Sequence, residues 1–129
     1  MILLDTHAWL WWASSPERLS KSAHAALADA PAIVVSTLSV WEIAMLVARG
    51  RIALDREVSR WVRRALAEAR VEALSPSVEI ALEAALLDSR GFPGGPADRF
   101  IYATARALDV PLVTRDARIR AFDPDATIW

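Results

Sequence analysis

Short apolar runs alternate along this chain with longer segments of helical pattern, and this alternation limits the fold more than any other feature. The runs predicted as strands are residues 2–5, 32–36, 71–74, 111–114 and, at an edge, 127–129. Strands joined through helices form β–α crossovers, which make a parallel sheet covered on both faces. The sequence therefore predicts one α/β domain over residues 1–129, with three α/β/α layers and a short central parallel sheet.

The segments between these runs carry helical signals. Helices are predicted at residues 7–13, 20–30, 37–49, 56–69, 76–87, 96–108 and 115–122. Thr6 is expected to cap the first helix and Asp55 the fourth, while Gly50 closes the third. Residues 88–95, which contain three glycines and a proline, form the one clear loop.

Composition excludes several classes of function. The 129 residues include 15 Lys+Arg, 16 Asp+Glu and no cysteine, for a net charge of −1. The lack of cysteine excludes a disulfide scaffold, a thiolate metal site and a cysteine nucleophile. Near-zero charge argues against broad coating of nucleic acid, so contact with RNA or DNA requires a local site. No apolar stretch is long enough for a signal peptide or a membrane span, and the expected location is the cytoplasm.

Four acidic residues follow the predicted strands. Asp5 ends the first strand, Glu42 lies early in the helix after the second, Asp98 begins the helix after the loop, and Asp116 follows the fourth strand. Ligands of open parallel sheets bind outside the carboxyl ends of the strands, so these carboxylates are expected at one edge. Hard oxygen ligands suit Mg²⁺ or Mn²⁺. Such a site can activate a water for attack on a phosphodiester.

Other interpretations of these acids remain open. Acids at helix N-termini also serve as caps, which is a sufficient explanation for Asp98 or Asp116 alone. Glu42 is harder to explain in this way because its sequence neighbours are apolar. An aspartyl-phosphate hydrolase would have a second acid where His7 stands, and a receiver-like domain would have a late lysine, whereas Lys21 is early. No dinucleotide-binding or Walker motif is present.

Four ordered motifs resemble a known family. They are Leu-Leu-Asp-Thr-His at 3–7, Ser-Thr-Leu-Ser-Val-Trp-Glu-Ile-Ala at 36–44, Pro-Ala-Asp-Arg at 96–99 and Leu-Val-Thr-Arg-Asp at 112–116. In this order and spacing the chain resembles the PIN domain, and in particular the VapC-type toxins of bacterial toxin–antitoxin pairs.

The resemblance implies an acidic cluster that binds Mg²⁺ or Mn²⁺ and cleaves RNA endonucleolytically. Metal-binding and catalytic roles transfer to the four acids that match the family positions: Asp5, Glu42, Asp98 and Asp116. Supporting roles fall to Thr6, which flanks the first acid, and to Thr114. The implied partners are an RNA substrate and a cognate antitoxin, in a homodimer or a toxin–antitoxin hetero-oligomer. One departure is Gly95, where many relatives have a further acid in an Asp-Pro-x-Asp pattern.

Two alternatives to a toxin remain. The first is a PIN-like scaffold or binding protein without turnover, and the second is a housekeeping RNA-processing nuclease.

Several flanking residues also have more than one interpretation. Arg99 and Arg115 either hold RNA phosphate or pair with a nearby carboxylate. His7 is expected to be a packed or capping histidine rather than an acid or base. One short helix cannot turn Trp9, Trp11 and Trp12 all inward, so some exposure is expected; in the resembled family this region helps to form the groove for the antitoxin.

Overall fold

The computed structural model describes all 129 residues, and its central element is a five-stranded sheet whose strands all run parallel. The strands are β1 (Ile2–Leu4), β2 (Ile33–Ser36), β3 (Val71–Leu74), β4 (Leu112–Val113) and β5 (Thr127–Ile128). Their order is β3-β2-β1-β4-β5, so β1 lies at the centre between β2 and β4. The predicted α/β class and parallel sheet are confirmed.

Seven α-helices connect the strands. They are α1 (Thr6–Ser14), α2 (Lys21–Asp29), α3 (Thr37–Ala48), α4 (Val58–Leu66), α5 (Val78–Leu87), α6 (Pro96–Leu108) and α7 (Ala117–Phe122). Short 3₁₀ turns occur at Pro16–Arg18, Asp88–Arg90 and Pro124–Ala126. None of the helices has the length and apolar character that crossing a membrane requires.

The sheet separates two hydrophobic cores. Along β1, Ile2 and Leu4 belong to the core on one face, and Leu3 belongs to the core on the other. This alternation follows from the two-residue period of a strand. The first core also contains residues of α1 to α4, and the second contains residues of α5, α6 and α7. Because helices cover both faces, β1, β2 and β4 are buried along their whole length, whereas the edge strand β3 exposes its two middle residues.

Two predicted helix caps are wrong. The cap of α1 is Asp5 rather than Thr6, which is already inside the helix and fully buried. The cap of α4 is Glu57 rather than Asp55, because the Glu57 carboxylate accepts the backbone N–H groups of Ser59 and Arg60. In each case a nearby acidic residue is the cap, one position before the predicted residue for α1 and two positions after it for α4. The first matters for the site, since it leaves the Thr6 hydroxyl available for contacts within the fold.

Two helix starts also differ from the prediction. α7 begins at Ala117 with Asp116 as its cap, two residues later than predicted. α5 begins at Val78 with Ser77 as its cap. In both cases a short polar side chain satisfies the free N–H groups of the first turn and so sets the boundary.

The tryptophans of α1 agree with the expectation that not all three turn inward. Trp9 is fully buried with its ring edge-on to Trp61, at a centroid distance of 5.2 Å. Trp11 is buried as well, and only Trp12 is partly exposed. The helix can turn two tryptophans inward because the 3₁₀ turn after it and the last residue of the chain pack beside Trp11.

Candidate active site

Asp5 occupies the carboxyl end of the central strand. One of its oxygens, Oδ1, accepts the backbone N–H of Thr6 at 2.5 Å, and Oδ2 accepts the hydroxyl of Thr114 at 2.6 Å. Thr114 is fully buried at the end of β4, which pairs with β1. The chain runs outward from β1 to β2 and β3 on one side and then crosses back to β4 on the other side of β1, so Asp5 lies at the switch point where open sheets bind ligands.

Glu42 reaches this edge from α3 through Thr6. The Thr6 Oγ1 atom lies 2.6 Å from Glu42 Oε1 and 2.9 Å from Ser39 Oγ. A hydroxyl carries one hydrogen, so donation to the carboxylate leaves Ser39 to complete the chain by donating to Thr6. The buried hydroxyl pair therefore fixes one oxygen of Glu42, while Oε2 has no partner in the protein.

Asp98 enters the site from the first turn of α6. Its Oδ2 accepts the backbone N–H of Gly95 at 3.1 Å, which is a capping interaction at the start of the helix. The other oxygen, Oδ1, has no hydrogen bond to the protein. Capping and site formation are thus compatible, because each uses a different oxygen of the same carboxylate.

These three carboxylates are coupled electrostatically. Removal from water raises the pKa of Asp5 to about 6; the Thr114 hydrogen bond opposes this rise, and the charge of Asp98 adds to it. The same removal from water, together with the charge of Asp98, raises the pKa of Glu42. Burial also raises the pKa of Asp98, and the charge of Asp116 contributes. Asp98 therefore links the other acids into one repelling cluster, which a cation would stabilise.

Asp116 lies beside this cluster but is partly neutralised. Its Oδ1 accepts the N–H of Arg118 at 2.9 Å and that of Ile119 at 3.4 Å, and Arg118 Nη2 lies 3.3 Å from Oδ2. Burial raises the pKa of Asp116, but the Arg118 guanidinium and the helix N–H groups outweigh it, so the pKa is lowered overall. The charge of Asp98 is thus felt by Asp5 and Glu42, and the charge of Asp116 by Asp98, while the charge of Asp116 itself is partly balanced by Arg118.

The donor chemistry of the cluster fits a hydrated divalent cation. No three Asp, Glu or His side chains converge closely enough to form a complete set of protein ligands. Mg²⁺ does not require such a set, because it usually keeps several waters and takes one or two carboxylates. Glu42 Oε2 and Asp98 Oδ1 are the carboxylate oxygens left free by the surrounding hydrogen bonds.

Gly94 is a site residue that the sequence did not single out. A Cβ at this position would lie 2.6 Å from Asp98 Cβ and 2.6 Å from Phe92 Cε1, closer than carbon atoms can approach. At Gly95 the nearest atom to an added Cβ is Asp98 Oδ2, at 4.0 Å. In the sequence, the Gly94-Gly95 doublet was the only sign of this requirement. It did not show which of the two residues must lack a side chain to leave room for Asp98.

The two arginines singled out in the sequence differ in their contacts. Arg99 Nη2 binds Asp88 Oδ1 at 3.0 Å, so carboxylate pairing describes Arg99. Arg115 makes no ion pair, and its guanidinium lies over the ring of Trp11. His7 is exposed and its ring packs beside Trp11 at 5.6 Å, in agreement with a packed histidine.

A parallel sheet with coupled carboxylates at its switch point is the arrangement that the resemblance to the PIN domain implies. The comparisons with known proteins agree with this class. The family model of the PIN domain matches residues 2–123. The chain therefore belongs to the PIN domain family. It is also 39% identical over 130 residues to "Ribonuclease VapC22" of Mycobacterium tuberculosis (strain ATCC 25618 / H37Rv), covering 99% of this chain and 98% of that protein.

Solved structures share the same fold. A toxin–antitoxin complex from Klebsiella pneumoniae superposes with a TM-score of 0.69 at 22% identity, covering 100% of this chain and 97% of that one. VapBC2 from Rickettsia felis, bound to a DNA fragment from its promoter, gives a TM-score of 0.69 at 18% identity, covering 98% and 97%. At these identities the likeness establishes the fold.

The pKa of Asp5 predicts how the stability of the metal-free protein varies with pH. The carboxyl titrates near 3.8 in an unfolded chain and at about 6 in the folded one. Between these values the folded state binds more protons, so the free energy of unfolding falls as the pH rises through this window. In Asp5→Asn the fall in the free energy of unfolding over this pH range should be smaller than in wild type by about 1–3 kcal/mol, as measured by urea unfolding in EDTA. An equal decline in wild type and Asp5→Asn would contradict the assignment, and Asp55→Asn, at an exposed carboxylate, serves as the control.

Loss of the Thr6 hydroxyl is expected to weaken the site without unfolding it. Thr6→Val keeps the side-chain volume but leaves Glu42 Oε1 without its donor, at a cost of about 1–3 kcal/mol in the free energy of unfolding. The pKa of Glu42 then rises further, because the Thr6 hydrogen bond that lowers it is lost. We expect roughly a tenfold loss of affinity for Mn²⁺ in calorimetry. Thr104→Val, at an equally buried threonine that donates to the Phe100 carbonyl, should leave this affinity unchanged.

Proposed function

We propose that this protein is a metal-dependent endoribonuclease and the toxin component of a toxin–antitoxin pair. The observation that carries the proposal is the coupled carboxylate cluster of Asp5, Glu42 and Asp98 at the switch point of the sheet. The chain that holds this cluster is 39% identical to a protein named as a ribonuclease, almost from end to end.

The proposed metal site uses the four acids of the sheet edge. Asp5, Glu42, Asp98 and Asp116 would hold Mg²⁺ or Mn²⁺, with water completing the coordination. A bound divalent cation supplies Lewis acidity, which makes water a stronger nucleophile and offsets charge on the phosphodiester. Thr6 and Thr114 keep Glu42 and Asp5 in fixed orientations through the hydrogen bonds described above.

The protein's own part in the reaction is to orient and to accept a proton. Glu42 Oε2 is free of protein partners, so this oxygen can accept a proton from the attacking water. Attack forms a bond between the water oxygen and phosphorus and breaks a phosphorus–oxygen ester bond of the RNA. One product ends in a phosphate and the other in a hydroxyl.

Cleavage of RNA by the purified protein tests the enzymatic part of this proposal. We expect cleavage in Mg²⁺ or Mn²⁺ that stops on addition of EDTA and is absent from Asp5→Asn. Cleavage that survives both changes would contradict the metal mechanism. Absence of cleavage on any RNA, together with no heat of Mn²⁺ binding in calorimetry, would favour a PIN-like scaffold instead.

Expression in bacteria tests the role as a toxin acting in the cytoplasm. We expect growth arrest that is relieved when a small open reading frame adjacent to the gene, encoding the antitoxin, is expressed with it. Glu42→Gln should abolish the arrest without lowering the amount of protein. Active enzyme that causes no arrest would favour a housekeeping nuclease.

A further inference from the structure

Two arginines from distant parts of the chain meet on one tryptophan ring. The guanidinium carbon of Arg18 lies 5.3 Å from the centroid of the Trp11 ring, and that of Arg115 lies 5.4 Å from it. Both distances are within the range of cation–π contacts. Arg18 and Arg115 are exposed, whereas Trp11 is only 6% exposed. The buried Trp11 ring is thus in contact with two positive charges at the protein surface.

Neither of these arginines is neutralised within the protein. Arg18 and Arg115 make no ion pair, and their side chains make no hydrogen bond. The nearest acid in sequence to Arg115 is Asp116, whose carboxylate is already occupied by Arg118 and the start of α7. The guanidinium N–H groups of both arginines are therefore available to a ligand.

The arginine pair borders the carboxylate cluster. Arg115 follows Thr114, whose hydroxyl binds Asp5, so its backbone is fixed at the same edge of the sheet. On the other side, the ring of His7 lies 5.6 Å from the Trp11 ring, and His7 stands two residues after Asp5, the cap of α1. A polyanion seated on the arginines therefore passes next to the acids.

We propose that Arg18 and Arg115, held by Trp11, form a binding site for the phosphates of the RNA strand beside the cleaved bond. The inference rests on the proposed ribonuclease function and adds to it the residues that hold the substrate backbone. A guanidinium presents a planar fork of donors that matches phosphate oxygens. Since Trp11 is buried, it orients the arginines rather than stacking on bases, so the contact carries no sequence preference.

Fluorescence anisotropy with a labelled single-stranded RNA of mixed sequence tests the site. Binding is measured in the Asp5→Asn background, where the RNA stays intact, for Arg18→Gln, Arg115→Gln and the double variant. Each substitution should weaken binding roughly fivefold at low salt and reduce the slope of log K against log[salt] by about 0.7. Arg63→Gln is the matched control, because Arg63 is an exposed arginine of α4, which contacts the edge strand β3 and not the strands β1 and β4 that carry Asp5 and Thr114 at their ends.

The outcomes separate this inference from the proposed function. If the Arg18 and Arg115 variants bind RNA with the affinity and salt slope of Arg63→Gln, the arginine site is wrong even though the enzyme binds RNA. Unchanged RNA binding with a weakened antitoxin complex would instead assign these arginines to a protein interface. If the wild-type chain neither binds nor cleaves RNA, the proposed function itself fails. Thermal unfolding of each variant confirms that the fold is intact.

Discussion

Asp5→Asn is expected to lower the rate of RNA cleavage by at least about 100-fold while leaving the protein folded. Asparagine has the shape of aspartate, so its carbonyl oxygen can still accept from Thr6, and its amide can donate to the Thr114 oxygen. What it loses is the negative charge at the switch point of the sheet, which attracts the cation. The measurement is single-turnover cleavage of a defined RNA in Mg²⁺, with denaturant unfolding of the same preparation.

The stability readout makes this prediction specific. Because burial raises the pKa of Asp5 to about 6, the ionised carboxylate destabilises the metal-free fold at neutral pH. The inactive variant should therefore be more stable than wild type in EDTA, as happens when a strained functional group is removed. A variant that loses activity because it unfolds would show the opposite change. Asp55→Asn, at an exposed carboxylate paired with Arg56, should retain cleavage.

Gly94→Ala is expected to lower cleavage by about 100-fold and to destabilise the fold by about 1–3 kcal/mol. The added methyl group collides with Asp98 Cβ on one side and with the Phe92 ring on the other. Phe92 is buried against Tyr102 and Phe122, at centroid distances of 5.0 and 5.3 Å, and has little room to move. The displacement therefore falls largely on Asp98.

Gly95→Ala is the matched control for this variant. The two glycines are adjacent, neither has a backbone φ in the left-handed region, and an added Cβ at Gly95 meets nothing nearer than 4.0 Å. Cleavage by Gly95→Ala should stay close to wild type. Calorimetry with Mn²⁺ provides the second readout, since a displaced Asp98 weakens cation binding as well as kcat. Equal activity of the two alanine variants would show that Gly94 does not position the carboxylate.

The geometry around Gly95 also shows how the absence of an acid at this position, where many relatives have one, affects Asp98. Its backbone is ordinary and its surroundings are open, so the position does not require glycine. The backbone N–H of Gly95, which any residue except proline would supply, is what binds Asp98. The loss of an acid at this position therefore leaves the support of Asp98 intact.

The sequence by itself determined the class of fold and the position of the acids along it. Apolar runs three to five residues long, separated by helical segments, can bury their side chains only as a parallel sheet between helix layers. Asp5 ends the first strand, and the other three acids lie in the connections that follow the later strands, so chain order places them toward the carboxyl edge. Local patterns are sufficient for these conclusions because they depend on periodicity and on chain order alone.

Only the tertiary structure decided how the acids are held and which residues hold them. The hydrogen bond between Thr6 and Glu42 joins positions 36 apart, and that between Thr114 and Asp5 joins positions 109 apart. The contact of Gly94 with Asp98 and the meeting of Arg18 with Arg115 on Trp11 likewise arise from packing. Burial sets the pKa of Asp5, and burial depends on every element that covers the site. Such interactions have no periodicity along the chain, so they become visible only when the layers are assembled.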